Sequence, residues 1–291
     1  MCKTEGMETD RERTAPRVAI VVVSYGSDAV LPAFLASVPG ASRAPLDTVV
    51  ADNRPADGTV ERLSRDAGAH YLPLENRGYG AAINAAEATI ADDVEWLLIS
   101  NPDVTLGAGA VDLLLDAVDD ERIAAVGPRI VDESGVVYPS ARSIPSLRSG
   151  VGHALFVRIW PGNPWTRTYR RDDASPVRRD TGWLSGACLL VRRSAFRELG
   201  GFDDEFFMYF EDVDFGFRLG RARYRSVYEP AAVVVHTGAH STENSAEMVR
   251  VHHLSAARFI GRKYPGPILF PLRAVLRLGL RVRSALMTRE R

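Results

Sequence analysis

The chain has 291 residues, of which 46% are hydrophobic and 25% charged, and its formal net charge is −1. This near-neutral total argues against a protein that binds nucleic acid through charge, and we expect no nucleic-acid partner. Two cysteines, Cys2 and Cys188, do not support a disulfide framework and favour a reducing compartment. The charge is uneven, because residues 262–291 carry eight basic side chains against one acid, so this tail is +7 and the remainder −8.

The N-terminal half shows a regular alternation of predicted elements. Residues 1–16 are charged and lack the apolar run of a signal peptide, so we expect a disordered leader. Strands are then predicted in RVAIVVVSYG, LDTVVADN, AHYLPL, VEWLLIS and IAAVGPRIV, with a helix after each of the first four. This alternation over residues 17–131 predicts an α/β fold, a mostly parallel twisted sheet flanked by helices on both faces.

The alternation breaks after residue 131. A turn-rich stretch is followed by residues 142–179, which contain eight arginines and interleaved aromatics. Regular structure returns in GWLSGACLLVRRSAFRELGGF, which predicts a strand and then a helix ended by two glycines. A further helix is predicted from about Glu211, followed by strands in YRSVYEP and AAVVVH.

Polar side chains follow four of the predicted strands at their carboxyl ends. Each set alone is equally well explained by a turn or a helix cap. Ligands of open α/β sheets, however, collect at the carboxyl ends of strands, so four sets favour a shared crevice. The four sets are Ser24 with Tyr25, Asp52 with Asn53, Asn76 with Arg77, and Asn101 through Asp103.

The motif NPDV, residues 101–104, is the sharpest of these signals. Pro102 stiffens the turn and would hold Asp103 just outside the sheet, where Mg²⁺ or Mn²⁺ could bridge a diphosphate. The alternative is that Asp103 caps the helix predicted in GAGAVDLLL. His236, at the end of AAVVVH, is either a metal or phosphate ligand or a hydrogen-bonded histidine at a strand end.

Three acids lie among aromatic residues in EFFMYFEDVDFGFRLG, residues 205–220. On a helix, Glu211 and Asp214 share a face, whereas Asp212 points about 100° away, so the three cannot serve one purpose. Asp214 is four residues before Arg218 and is predicted to pair with it. An acid that faces a cleft could act as a general base, although acids at a helix N-terminus also occur simply because they favour the helix dipole.

In order, the motifs VVVSYGS, ADNRPADGT, NRGYGAAIN, NPDV and FFMYFEDVDFGFRL resemble the family 2 glycosyltransferases of GT-A fold. The resemblance covers roughly residues 17–240. The pieces GVVYPSARSIPSL, WPGNPWTRTYR, GWLSGACLLVRRSAF and AHST are similar to one branch, the actinobacterial rhamnosyltransferases of cell-wall linker assembly. That branch moves L-rhamnose from dTDP-rhamnose to polyprenyl-diphospho-N-acetylglucosamine, and the resemblance implies this inverting reaction at the cytoplasmic side of the plasma membrane.

The resemblance also implies a division of the chain. A Rossmann-like half that binds the nucleotide sugar would occupy residues 17–131, and an acceptor and catalytic half residues 132–240. Basic amphipathic helices would occupy residues 241–291. Residues 142–179 would hold the acceptor diphosphate or line the lipid approach, or else form an ordinary exposed loop.

Individual roles follow from the same resemblance. Asp212 would be the catalytic base, and Asp103 with His236 would hold Mg²⁺ or Mn²⁺. Two departures from the family pattern are Asn101, where many relatives have Asp in the metal motif, and Pro55, where they have Ser. The implied donor contacts are Ser24, Tyr25, Asp52, Arg77 and Asn101, and the implied acceptor contacts are Trp183, Ser185, Gly186 and Glu211.

The basic tail, residues 262–291, has two interpretations. FPLRAVLRLGLRVRSALM places Arg273, Arg277 and Arg281 on one helical face, as in helices that lie on membranes. The alternative is a terminal helix docked on the domain with solvated arginines.

Two other functions fit the same motifs. A transferase that uses another sugar nucleotide, with a galactosyl or N-acetylglucosaminyl group, would keep the fold and change the product. A protein that binds the sugar nucleotide without turnover would need only the crevice.

Overall fold

The computed structural model describes residues 16–146, 177–238 and 246–289. The leader and most of the 142–179 segment therefore lie outside the described residues. The strands are β1 (Val18–Ser24), β2 (Asp47–Asp52), β3 (His70–Pro73), β4 (Trp96–Ser100), β5 (Val104–Leu106), β6 (Ile123–Val131), β7 (Val137–Tyr138), β8 (Ala141–Arg142), β9 (Arg179–Thr181), β10 (Trp183–Leu184), β11 (Cys188–Arg192) and β12 (Arg225–His236). The helices are α1 (Leu31–Ser37), α2 (Thr59–Asp66), α3 (Tyr79–Glu87), α4 (Ala110–Asp116), α5 (Arg193–Glu198), α6 (Glu211–Arg221), α7 (Ala246–Lys263) and α8 (Phe270–Arg289).

A ten-stranded sheet in the order β3-β2-β1-β4-β11-β6-β12-β5 forms the centre, with β7 beside β6 and β9 beside β12. The first four strands are parallel, as the alternation predicts. Their register places Ser24 opposite Asp52 and Val22 opposite Ser100, so their carboxyl ends lie at one edge. One apolar core packs α1, α2 and α4 on one face of the sheet, and a second packs α3, α5 and α6 on the other.

The sheet is more mixed than the sequence predicts. Strand β11 lies between β4 and β6 and is antiparallel to both, and β5 is antiparallel to β12. The segments YRSVYEP and AAVVVH form the single strand β12, whose register against β6 shifts between Glu229 and Val233. This irregularity surrounds Pro230, which has no amide hydrogen to give to a ladder. One continuous sheet therefore joins the predicted nucleotide and acceptor halves.

A buried arginine ties β11 and α5 to the end of α3. The side chain of Arg193 is 3% exposed and donates to Glu87 Oε1 at 2.6 Å. It also donates to the backbone oxygens of Ile90 at 2.7 Å and Val94 at 3.4 Å. These carbonyls lie in the segment that follows α3, and the planar guanidinium group with its several donors satisfies them.

The C-terminal helices pack on the element that carries the three acids. Ser255 on α7 donates to the backbone oxygen of Met208 at 2.9 Å, just before α6. Arg262 on α7 donates to Asp214 Oδ2 at 2.8 Å. Helix α8 packs in turn against α7. Within the described residues, no helix combines the length and the apolarity that crossing a bilayer requires.

Candidate active site

The crevice begins at the adjacent carboxyl ends of β1 and β2. Asp52 is buried; its Oδ2 accepts a hydrogen bond from the Tyr71 hydroxyl at 3.1 Å and its Oδ1 one from the Arg54 amide at 3.1 Å. Ser24 Oγ and Asn53 Oδ1 are buried and have no hydrogen-bond partner among the described atoms. Buried polar atoms are normally paired, so these two indicate a place where a polar ligand completes the bonding.

Tyr25 and a neighbouring arginine line the outer side of this crevice. Tyr25 is 54% exposed, and the Arg54 guanidinium carbon lies 5.6 Å from the centre of its ring. Arg77 is exposed on the loop before α3. The structure thus adds Arg54 to the cations near the crevice. The signal in the sequence was its place directly after Asp52 and Asn53 at a strand end.

Asp103 and His236 meet at the same edge of the sheet although 133 residues separate them. His236 Nε2 lies 3.1 Å from Asp103 Oδ1, and the Asn101 amide nitrogen lies 3.5 Å from His236 Nε2. The pairing of β5 with β12 places His236 opposite Val104 and so creates this contact. The helix-cap alternative for Asp103 is wrong, because β5 follows it and α4 begins only at Ala110, after Gly109.

These three side chains fit a hard divalent cation that is shared with a substrate. Across residues 16–146, 177–238 and 246–289, no three His, Cys, Asp or Glu side chains gather as a complete metal-binding group. Mg²⁺ and Mn²⁺ sites that include phosphates need only one or two protein ligands, the rest being substrate oxygens and water. Asp103, His236 and the amide of Asn101 supply such a partial set.

Helix α6 begins at Glu211, as predicted, and carries two adjacent carboxylates into the site. Asp212 Oδ2 accepts a hydrogen bond from the Gly186 amide at 3.0 Å, and Oδ1 accepts one from Val213 at 2.7 Å. Glu211 is 6% exposed, and its Oε2 has no partner among the described atoms. Within the described residues, this oxygen therefore lacks a donor that would stabilise a negative charge on it.

Burial determines the protonation of this pair. Burial, and to a smaller extent the charge of the nearby Asp212, together raise the pKa of Glu211 to about 8. Burial also raises the pKa of Asp212, while hydrogen bonds from the Gly186 and Val213 amides and the charge of Arg142 act in the opposite direction. At neutral pH Glu211 therefore retains its proton and can donate a hydrogen bond, whereas Asp212 is the better-stabilised carboxylate. The two adjacent acids have different chemistry.

Tyr79, the first residue of α3, lies where these groups converge. Its hydroxyl donates to the Gly186 carbonyl at 2.7 Å. Burial raises its pKa well above the ordinary value, and Glu211, Asp212, Cys188 and Asp103 all add to that increase. The same phenol therefore lies within electrostatic range of both the α6 acids and Asp103. Tyr79 was not among the predicted site residues.

The loop before α3 also touches the loop before α6. The Tyr79 amide donates to the Phe207 carbonyl at 3.0 Å, and a Cβ on Gly78 would lie 2.2 Å from that same oxygen. Only glycine fits there. Asn53 donates to the Gly78 carbonyl at 3.2 Å. Backbone contacts therefore link the strand-end crevice to the α6 acids.

The remaining predicted acceptor residues lie along one segment before β11. Gly186 contacts Asp212 directly, and Ser185 is buried beside it with its amide bonded to the Ser140 carbonyl at 2.8 Å. Trp183 lies on β10 and packs against α6 at Gly216, where an added Cβ would lie 2.6 Å from the Trp183 Cβ. Trp183 thus packs on the helix that carries the acids.

Asp214 is a structural residue, as the spacing predicts. It is fully buried, and Arg218 donates to its Oδ2 at 2.7 Å, which confirms the predicted pair. Arg262 of α7 donates to the same oxygen. This second cation, 48 residues away, was missed because nothing in the local sequence indicates it.

Comparisons with known proteins agree with this geometry. The sequence pattern described as Glycosyl transferase family 2 matches residues 19–200, and that of Glycosyl transferase family group 2 matches residues 168–258. The N-acetylglucosaminyl-diphospho-decaprenol L-rhamnosyltransferase of Mycobacterium tuberculosis is 44% identical over 93% of this chain and 92% of its own length. Rhamnosyltransferase WbbL of Escherichia coli is 27% identical over 84% of this chain and 93% of its own.

Solved structures confirm the fold. The mannosyltransferase PcManGT from Pyrobaculum calidifontis, in complex with GDP-Man and Mn²⁺, aligns with a TM-score of 0.58 at 16% identity, over 95% of this chain and 73% of its own. GalNAc-T7 with UDP, GalNAc and Mn²⁺ aligns with a TM-score of 0.56 at 14% identity, over 93% and 55%. The predicted GT-A fold is therefore correct. With the family pattern covering more than half of its residues, the chain belongs to glycosyl transferase family 2.

Proposed function

We propose that this enzyme transfers L-rhamnose from dTDP-L-rhamnose to N-acetylglucosaminyl-diphospho-polyprenol, in the linker step of arabinogalactan (cell wall) synthesis. The observation that carries the reaction type is the half-buried Asp212 carboxylate, held by the Gly186 and Val213 amides beside the strand-end crevice. The substrate pair rests on the name of the 44% identical relative. Ser24, Tyr25, Asp52, Arg77 and Asn101 are proposed to bind the donor; Trp183, Ser185, Gly186 and Glu211 are proposed to bind the acceptor.

The chemistry of this chain is a proton transfer coupled to one displacement. Asp212 accepts the proton of the acceptor hydroxyl as that oxygen attacks the anomeric carbon of the donor. The bond between that carbon and the diphosphate breaks in the same step, so the configuration inverts. Glu211, protonated at neutral pH, donates a hydrogen bond to an acceptor oxygen. The aromatic residues around α6 exclude water, which would otherwise compete as the nucleophile.

Asp103 and His236, with the amide of Asn101, are proposed to hold the divalent cation. A bound Mg²⁺ or Mn²⁺ would supply positive charge against the leaving diphosphate. We expect EDTA to abolish transfer and Mg²⁺ or Mn²⁺ to restore it. Isothermal titration of Mn²⁺ with dTDP present should show binding that Asp103→Asn weakens at least tenfold. Full activity in EDTA would remove these residues from this role.

The acceptor places the enzyme at a membrane. Its polyprenyl chain lies in a bilayer, so we propose peripheral association with the cytoplasmic side of the plasma membrane.

One assay separates the proposed function from its competitors. The purified chain is incubated with a panel of dTDP- and UDP-sugars and an N-acetylglucosaminyl-diphospho-lipid, and the product is identified by mass spectrometry. A deoxyhexose added from dTDP-rhamnose alone supports the proposal. A hexose or N-acetylhexosamine added from a UDP-sugar would replace the donor while keeping the enzyme class. Donor binding without any product would favour the binding protein without turnover.

A further inference from the structure

The turn between α7 and α8 exposes large apolar side chains. Ile268 is 90% exposed and Phe270 is 62% exposed. On α8, Val275 is 68% exposed and Leu278 is 62% exposed. Four such side chains within eleven residues form a patch rather than scattered apolar positions, and patches of this kind mark interaction sites.

The opposite side of α8 is already occupied. Leu272, Leu276 and Leu280 are half-buried, at the spacing of one helical face, on the side where α8 packs against α7. Val275 and Leu278 therefore have no place in that contact. Helix α8 therefore carries apolar side chains on two sides, one covered by α7 and one exposed.

Two arginines that the sequence assigns to a lipid-facing row have another use. Arg273 donates to the Tyr264 carbonyl at 2.7 Å, at the end of α7. Arg277 donates to the Ala257 carbonyl at 3.4 Å and lies against Gly261. Both therefore hold α8 on α7 and fix the turn that presents Ile268 and Phe270. Arg281 stays exposed.

We propose that a lipid-contacting surface is formed by the turn 265–270 and the outward face of α8, whose apolar side chains enter the outer acyl region of a bilayer. The proposal rests on the proposed function only in that the acceptor is lipid-linked. Apolar side chains that insert a few ångströms, flanked by cations at headgroup level, describe an interfacial helix rather than a spanning one. Arg281 is placed to meet anionic headgroups.

The charge of the C-terminal segment favours a bilayer over a second copy of the chain as the partner of this surface. Residues 262–291 carry a formal charge of +7, and among the described residues of this segment only Arg262 forms ion pairs, with Asp203 and Asp214 outside it. Two copies that met through this surface would therefore bring like charges together. An anionic leaflet, in contrast, attracts each cation that approaches it. The partner that fits an apolar patch within a cationic segment is an anionic lipid surface.

The same surface connects to the site through α7. Ser255 holds Met208 and Arg262 holds Asp214, on either side of the first turn of α6. A bilayer that binds the α7–α8 pair therefore fixes the orientation of α6 relative to the membrane. This orients the acid pair toward an acceptor whose lipid chain is anchored in the same leaflet.

The test compares two substitutions in the full chain. Ile268→Ser with Phe270→Ser removes the apolar tip, and Leu113→Ser is the matched control, because Leu113 is 37% exposed on α4, which packs on the other face of the sheet from α6. Co-sedimentation with vesicles of phosphatidylcholine and phosphatidylglycerol measures binding. We expect the double variant to bind about tenfold more weakly or worse, and the control to bind as the wild type does.

Two further measurements keep the outcomes distinct. The double variant should lose transfer to acceptor embedded in vesicles and keep transfer to a water-soluble short-chain acceptor. Unchanged vesicle binding would overturn the surface, as would light scattering that shows a dimer which the double variant dissolves. If neither acceptor is glycosylated by the wild type, the proposed function fails, while the vesicle-binding result still decides the surface.

Discussion

Two buried carboxylates of α6 are accommodated in opposite ways. One lies at the start of the helix, and the other lies on the side that faces α7. Asp214 is fully buried and receives hydrogen bonds from Arg218 and Arg262. Glu211, less than one turn away and also buried, contacts no cation among the residues that the structure describes, and its pKa rises to about 8. A buried acid is either compensated by cations or kept protonated. The compensated Asp214 supports the helix, whereas Glu211 keeps a proton that it can donate.

The largest expected effect is the loss of turnover when Asp212, in the first turn of α6, is substituted. Asp212→Asn removes the proton acceptor while preserving shape, so kcat should fall by about 10²–10⁴-fold. Donor binding, measured by titration with dTDP, should stay within a few-fold of wild type, and the thermal midpoint should confirm folding. Near-normal turnover in this variant would show that another group removes the proton.

On the side of α6 that faces α7, we expect a substitution to lower the stability of the fold. Asp214→Asn leaves Arg218 and Arg262 without their shared carboxylate and should lower the free energy of unfolding by about 3 kcal/mol. Glu61→Gln is the matched control, since Glu61 and Arg65 form another i,i+4 pair but with the Glu61 side chain 44% exposed; it should cost at most about 0.5 kcal/mol. Urea denaturation followed by circular dichroism measures both. Equal losses of unfolding free energy in the two variants would contradict the expected difference between a buried and an exposed ion pair.

A pH-dependent effect should separate Glu211 from Asp214. The folded chain holds the Glu211 proton up to about pH 8, whereas the unfolded chain releases it near the ordinary value of 4.5. The folded state then binds more protons, so this group makes stability fall as pH rises from about 4.5 to 8. Glu211→Gln should remove this loss and be more stable than wild type at pH 8.5, with little difference at pH 4. A constant difference across pH would contradict the protonated state.

The smallest expected effect tests how Asp212 is held. Gly186 can rotate freely unless its carbonyl is fixed, and Tyr79 fixes it. Tyr79→Phe should lower kcat about five- to tenfold, the worth of one hydrogen bond of about 1 kcal/mol, and leave the KM for the donor unchanged. Tyr224→Phe is the control, because it removes a hydroxyl bonded to the exposed Glu198. Identical kinetics in the two variants would rule out this role for Tyr79.

Local spacing predicted much of this molecule. The start of α6 and the Asp214–Arg218 pair follow from helical periodicity, and the polar strand ends follow from the parallel alternation of β1 to β4. The Asp103–His236 contact follows from the family resemblance, and the structure brings the two together. Each of these depends on neighbours in sequence or on an ordered motif.

Contacts between distant segments were not predictable. Arg262 and Asp214, Tyr79 and Gly186, and the antiparallel insertion of β11 all join parts of the chain whose own patterns do not mention each other. The outward face of α8 is the clearest example. Periodicity places three arginines in one row, but two of them reach backbone carbonyls of α7 and its turn, so only the packed structure distinguishes the covered side from the free one.

The position of β11 constrains how the protein can be made. Strand β6 pairs with β7, β11 and β12, all of which follow residue 131. A fragment that ends there would leave β6 without a neighbour and β4 with an open edge, a template for aggregation. During synthesis the middle of the sheet stays open until residue 192 has left the ribosome. The two halves therefore cannot be produced separately or exchanged as cassettes, and chimaeras should be joined after β12.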